Sequence, residues 1–149
     1  TKLNIYNQSG NSEAELEVQI SNPLFNSANR FLAIAESQGQ KFYLIEDKEV
    51  KWEAEVEGNI SQINVNKNGY VAVAITGTSY KTVVAMYSPE GKELFKTYLS
   101  STRAVDITIS NDNKYLAIAE IDTSGTIIKS SVKVISIEKA STDPTRRKW

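Results

Sequence analysis

Apolar and polar residues alternate along this chain with a period of two. The i, i+3, i+4, i+7 stripe of an amphipathic helix is almost lacking, so strands are expected throughout and helix is expected to be nearly absent. One phrase recurs three times: Asn29-Arg30-Phe31-Leu32-Ala33-Ile34-Ala35-Glu36, Asn68-Gly69-Tyr70-Val71-Ala72-Val73-Ala74-Ile75 and Asn113-Lys114-Tyr115-Leu116-Ala117-Ile118-Ala119-Glu120. Within it, Leu32 and Ile34 point to one side of a strand while Ala33 and Ala35 point to the other, and both sides are apolar. A strand buried on both faces needs a sheet packed on either side of it. That is unusual in a two-layer sandwich and ordinary in the blade of a β-propeller. The aromatics Phe31, Tyr70 and Tyr115 recur about 39 and about 45 residues apart, close to the ~40–45 residues of a four-stranded blade.

The remaining strands follow from this register. Polar turns at Asn26–Asn29, Asn66–Gly69 and Ser110–Asn113 precede each phrase, and Asn, Asp and Gly tolerate the left-handed backbone a hairpin needs. First strands are therefore expected near Leu24-Phe25, Ile60 to Val65 and Val105 to Ile109. Third strands are expected at Lys41 to Glu46, Thr82 to Tyr87 and Ser131 to Ile137. In a fourth strand Trp52, Ala54 and Val56 face inward while Glu53, Glu55 and Glu57 face water, as on a half-exposed sheet edge. At the start, Leu3 to Tyr6 and Ala14, Leu16 and Val18 read as the last two strands of a preceding blade, with Glu13, Glu15 and Glu17 turned outward. The expected architecture is all-β: a β-propeller segment of about three to three and a half four-stranded antiparallel blades, with about thirteen strands. Residues 1–138 form the partial propeller, divided into 1–19, 20–58, 59–101 and 102–138, and residues 139–149 form a polar tail or linker. Large residues of one blade are expected to nest over the alanines of the next.

Composition narrows the chemistry. The chain has 149 residues, no Cys and no His, which removes disulfides, thiolate nucleophiles, imidazole metal ligands and Ser-His-Asp triads. A formal net charge of −1 offers no bulk attraction to nucleic acid. No apolar run reaches the ~20 residues a membrane-spanning helix needs. The chain begins at Thr1 rather than Met, so an upstream anchoring segment is an expectation the sequence leaves open.

The hairpin Ser110-Asn111-Asp112-Asn113-Lys114-Tyr115-Leu116-Ala117-Ile118-Ala119 resembles that of WD-repeat-like propellers, and Tyr87-Ser88-Pro89-Glu90-Gly91-Lys92-Glu93-Leu94-Phe95 resembles the outer-strand turn of quinoprotein-like repeats. The order of phrases from Phe31 to Ile137, about two-thirds of the chain, resembles an uncharacterised bacterial family of propeller-like proteins. It includes Gly69 to Ala74 followed by Tyr80-Lys81-Thr82-Val83-Val84. That resemblance implies a membrane-anchored, extracytoplasmic propeller and no particular activity. The Trp-Asp and Gly-His pairs of true WD repeats are lacking, so their intracellular scaffold roles are not implied.

Several residue groups invite a chemical reading. Asn111-Asp112-Asn113 places oxygen ligands close together, but lacks the glycine and downstream bidentate glutamate of a calcium loop, and a turn explains it. Asp106, Glu120 and Asp122 lie near strand ends, where a glycosidase would need two carboxylates ~5–9 Å apart. Glu46-Asp47-Lys48-Glu49 with Glu53, Glu55 and Glu57 reads as a solvated edge or a patch for a basic partner, and Arg146-Arg147-Lys148 as a weak membrane-surface contact. Trp52 reads as a packing residue rather than a sugar platform. Asn7-Gln8-Ser9 and Asn59-Ile60-Ser61 match a glycosylation sequon. The loops Thr76-Gly77-Thr78-Ser79-Tyr80 and Asp122-Thr123-Ser124-Gly125-Thr126 occupy corresponding places and lie on one rim, the first place to look for a binding surface.

The resulting expectation is a non-catalytic interaction or scaffold module, with no catalytic, cofactor or metal residues assigned. Its partner would be a protein or cell-envelope component rather than nucleic acid, and self-association through open blade edges is a further expectation. The alternative is a carbohydrate-active fragment whose carboxylate site is completed elsewhere.

Overall fold

A computed structural model describes residues 2–6, 9–18 and 20–142; the side chains of Lys2, Ile5, Glu13, Ala14 and Glu17 fall outside that description. The described chain is all-β apart from one short helix. Thirteen strands form four antiparallel sheets. The first pairs β1 (Lys2–Tyr6) with β2 (Ser12–Glu17). The second, in the order β3-β4-β5-β6, contains Pro23–Ala28, Phe31–Glu36, Lys41–Glu46 and Glu49–Glu55. The third runs β7-β8-β9-β10 through Asn59–Val65, Val71–Thr76, Thr82–Tyr87 and Glu93–Leu99. The fourth has three strands, β11 (Arg103–Ile109), β12 (Tyr115–Asp122) and β13 (Lys129–Ser136). Consecutive antiparallel strands joined by hairpins, in sheets stacked one against the next, are consistent with a propeller-like segment.

The hairpins before β4, β8 and β12 each close through a left-handed residue at the last position of the expected turn: Asn29 (φ 54°), Gly69 (φ 90°) and Asn113 (φ 64°). Gly69 has a second constraint. A Cβ there would meet the Phe31 ring at 2.9 Å, so the aromatic of one repeat tucks beneath the hairpin of the following one.

The alternation inside the repeated phrase divides the core. Ala33 and Ala35 share one apolar cluster with Val71, Val73 and Ile75, whereas Ala72 and Ala74 share another with Leu116 and Ile118. Leu32 and Ile34, on the other side of β4, join Val18 and Ile20 from the segment after β2. Large-over-small packing is therefore present in the opposite chain sense to that expected: each repeat's branched residues lie over the alanines of the repeat before it. Burying one such aliphatic side chain is worth about 1.5–3 kcal/mol, so these interfaces dominate the favourable side of folding.

The inner strands are also tied by polar bonds. Asn26 Oδ1 accepts from the Val65 N–H at 3.0 Å, and Asn64 Oδ1 accepts from the Ile109 N–H at 3.0 Å, the same bond one repeat later. As expected, Trp52 and Ala54 turn partly inward and Val56 is buried, while Glu53, Glu55 and Glu57 are exposed.

One difference from the sequence reading stands out. The segment from residue 139, expected as a polar tail, continues helix α1 (Ile137–Thr142) as far as Thr142. Ile137 and Ala140, three apart on one helix face, are buried in the cluster holding Leu116 and Ile118. The outer strand of the fourth sheet, β13, carries Val132 and Val134 at 68% and 61% exposure, so the terminal sheet leaves one apolar face open. The basic stretch Arg146-Arg147-Lys148 and Asn7 of the first sequon lie outside the described residues.

Candidate functional site at the β8–β9 rim

The loops joining second to third strands gather at one end of the sheets. The β8–β9 loop turns through Gly77 (φ 81°), and Thr78 closes it by accepting the Tyr80 N–H at 3.1 Å. This brings Tyr80 over Tyr98 of β10, with ring centroids 4.7 Å apart and planes inclined by 51°. The two rings, Thr78 and Ser79 flank a cleft of about 330 Å³ whose floor is Ile75 and Val83, with Glu57 and Lys96 at its edges. Lys96 pairs with Glu93 at 3.3 Å. Burial, with smaller contributions from Glu93 and Tyr80, raises the Tyr98 phenol above its ordinary pKa.

An apolar floor, two phenol rings and one charge of each sign suit a ligand with a flat apolar face and polar edges. Glu57 is the one carboxylate on the described lining, where a glycosidase would need a facing pair. The neighbouring Asp122 loop belongs to the same rim. The Asp122 carboxylate accepts the Ser124 Oγ–H at 2.6 Å and its N–H at 2.9 Å, which hold its pKa below the usual carboxylate range, with Lys81 and Lys129 adding smaller charge contributions.

The other candidates lie apart from this cleft. Glu120 is buried, accepts the Thr102 hydroxyl at 2.6 Å and faces Lys133 at 3.9 Å. Asp106 pairs across the sheet with Ala119 and therefore points to the opposite side from Glu120. Glu36 stands at the end of β4 as Glu120 stands in β12, and accepts the N–H groups of Ser21 and Asn22 at 2.9 and 2.7 Å. In both repeats the glutamate closing the phrase ties down the residues just before its own first strand. The repetition of Ala-Ile-Ala-Glu marks the glutamate, but its role as a clip emerges only from the partners the fold brings to it.

The Asn111-Asp112-Asn113 oxygens diverge rather than converge. Asn111 Oδ1 accepts the Lys67 N–H at 3.2 Å, and Asn113 Oδ1 accepts from Asn66 Nδ2 at 2.6 Å and Asn68 Nδ2 at 3.0 Å, which ties this hairpin to the preceding one. Asp112 accepts from Ser110 Oγ at 2.6 Å, the main reason its carboxyl is more acidic than usual. Among the described residues no group of three or more acids is placed to hold a metal ion.

Trp52 packs at right angles to Phe42, with centroids 5.7 Å apart, and donates Nε1–H to the Pro89 carbonyl at 2.9 Å, which accounts for it as a packing residue. Asn59, in the second sequon, opens β7, with its carbonyl accepting the Thr76 hydroxyl at 3.4 Å. A larger hollow of about 730 Å³ wraps the Glu46–Lys51 hairpin, but Glu46 is engaged there by Lys51 at 3.2 Å and Arg30 at 3.8 Å. With Val50 as its single apolar residue, it reads as a solvated turn. Among the described residues no helix is long and apolar enough to cross a membrane.

Stacked antiparallel sheets with a ligand-sized cleft on one rim define a repetitive all-β protein. The chain belongs to DUF5711, a family of unknown function whose model matches residues 1–146. No curated protein matches it.

Proposed function

We propose that the chain is a non-catalytic interaction module: a WD-repeat-like segment of a β-propeller that presents its β8–β9 rim to a protein or cell-envelope partner outside the cytoplasm. The observation that supports this reading is the cleft lined by the packed rings of Tyr80 and Tyr98. It joins an apolar floor to polar edges on loops held by rigid sheets, the usual composition of a recognition site. A tyrosine-flanked cleft with one carboxylate favours binding over hydrolysis.

The test is retention of cell-envelope fractions on the immobilised chain, compared with Tyr80→Ala and Tyr98→Ala. The reading expects a component that the parent chain retains and both variants release, with the variants' thermal unfolding otherwise cooperative. Equal retention by all three would remove the rim from the proposal. Release of reducing sugar from envelope glycans, abolished by Glu57→Gln, would replace binding with catalysis.

A further inference from the structure

We propose that the open face of β11–β13 is an unfilled inter-sheet interface, shaped to receive one further repeat of the same kind carried by the same polypeptide. The ladder pairs carry the argument. In the second sheet Ala35 and Ala33 stand opposite Phe42 and Leu44; in the third, Ala74 and Ala72 stand opposite Val84 and Met86. All four of these partners are 0% exposed, because the next sheet covers them. In the fourth sheet Ala119 and Ala117 stand opposite Val132 and Val134, the same arrangement at 68% and 61% exposure. Tyr115 completes it. The equivalent Phe31 is 7% exposed beneath the following hairpin, whereas Tyr115 is 47% exposed.

A polar feature repeats as well. Asn26 and Asn64, opposite Ala33 and Ala72, each accept a backbone N–H from the first strand of the following sheet. Thr108, opposite Ala117, holds the corresponding place with an exposed hydroxyl.

The required occupant is thus a sheet with branched aliphatic residues at alternate positions of its second strand and an N–H directed at Thr108. A second copy of this chain is poorly suited to supply it. Its three faces of that type, at Leu32/Ile34, Val71/Val73 and Leu116/Ile118, are already packed in the core clusters.

The experiment extends the full chain at its C-terminus with a duplicate of residues 59–101, whose Val71, Val73 and Ile75 already cover an aromatic-Ala-Ala face. Amide hydrogen exchange is then followed by NMR. Docking is expected to slow exchange in the added central strands by about a hundredfold or more relative to an unstructured chain. Ala119→Arg in the extended chain is expected to abolish that protection while leaving β8 and β9 protected. An added repeat that stays unstructured, or whose protection ignores Ala119→Arg, would overturn the proposal. So would a discrete dimer of the unextended chain that Val132→Lys with Val134→Lys dissociates, since that assigns the face to a second copy.

Discussion

The third and fourth sheets carry the same aromatic-x-Ala-x-Ala phrase at their second strands, yet β8 and β9 are buried almost throughout, while β12 is buried only at Leu116, Ile118 and Glu120 and β13 only at Ile135. The difference lies in the neighbours. The third sheet is sandwiched between the second and the fourth, whereas the fourth rests on the third and has nothing on its far face among the described residues. A residue's energetic weight in such a stack is therefore set by whether the next sheet is present, as expected for a nearest-neighbour array.

The comparison is tested most severely by two equivalent truncations. Met86→Ala, at a position with no exposure, is expected to cost about 2–5 kcal/mol, because it leaves a cavity that the surrounding sheets cannot fill. Val134→Ala, its counterpart on the open face, is expected to change stability by less than about 0.5 kcal/mol. Urea unfolding of the two variants beside the parent chain measures both; comparable losses would mean the open face is packed in solution.

A smaller effect is expected where two sheets meet through a hydrogen bond. Trp52→Phe keeps the ring packing against Phe42 but removes the donor to the Pro89 carbonyl, and is expected to cost about 0.5–1.5 kcal/mol. Thermal unfolding reads it, and no loss would mean that water replaces the indole at that carbonyl.

Alkaline pH probes the same junction. Burial, with Glu93 second, pushes the Tyr87 phenol up to about 12. The unfolded chain releases that proton near pH 10, so the folded state holds more protons between these values. Its contribution to stability is complete below about pH 10 and is lost as the pH rises toward 12. Tyr87→Phe is expected to flatten that part of the stability profile. An unchanged slope would contradict the assignment.

The smallest effect lies on the rim. Ser124→Ala removes the hydroxyl donor to Asp122 and is expected to raise that carboxyl toward the ordinary range with no measurable loss of stability at neutral pH. The Asp122 carboxyl carbon shift, followed by NMR titration, reports it.

Much of this organisation was legible in the chain. Thirteen strands, the third strands at Lys41–Glu46 and Thr82–Tyr87, and the left-handed residues at Asn29, Gly69 and Asn113 follow from period-two alternation and turn chemistry, which are local. What escaped the sequence is non-local. The ends of α1 depend on Ile137 and Ala140 finding a cluster built by Leu116 and Ile118, and six residues carry too little pattern to announce a helix. The direction of large-over-small packing depends on how successive sheets are rotated, which alternation alone leaves undefined. The rim loop is a candidate from its place in the repeat alone. Tyr98 was missed because it reaches the cleft from the fourth strand, where it reads as one more alternating residue. Glu120 could be named only as one acid near a strand end, because its holders Thr102 and Lys133 are brought to it by the fold.

The most direct measurement is the unfolding free energy of Ala74→Leu against that of Ala119→Leu, the same substitution at equivalent places in the third and fourth sheets. Overfilling the closed interface is expected to cost Ala74→Leu about 1–3 kcal/mol, while Ala119→Leu, on the open face, stays within about 0.5 kcal/mol of the parent. Equal losses at the two positions would contradict the account, because they would mean that both faces are packed alike.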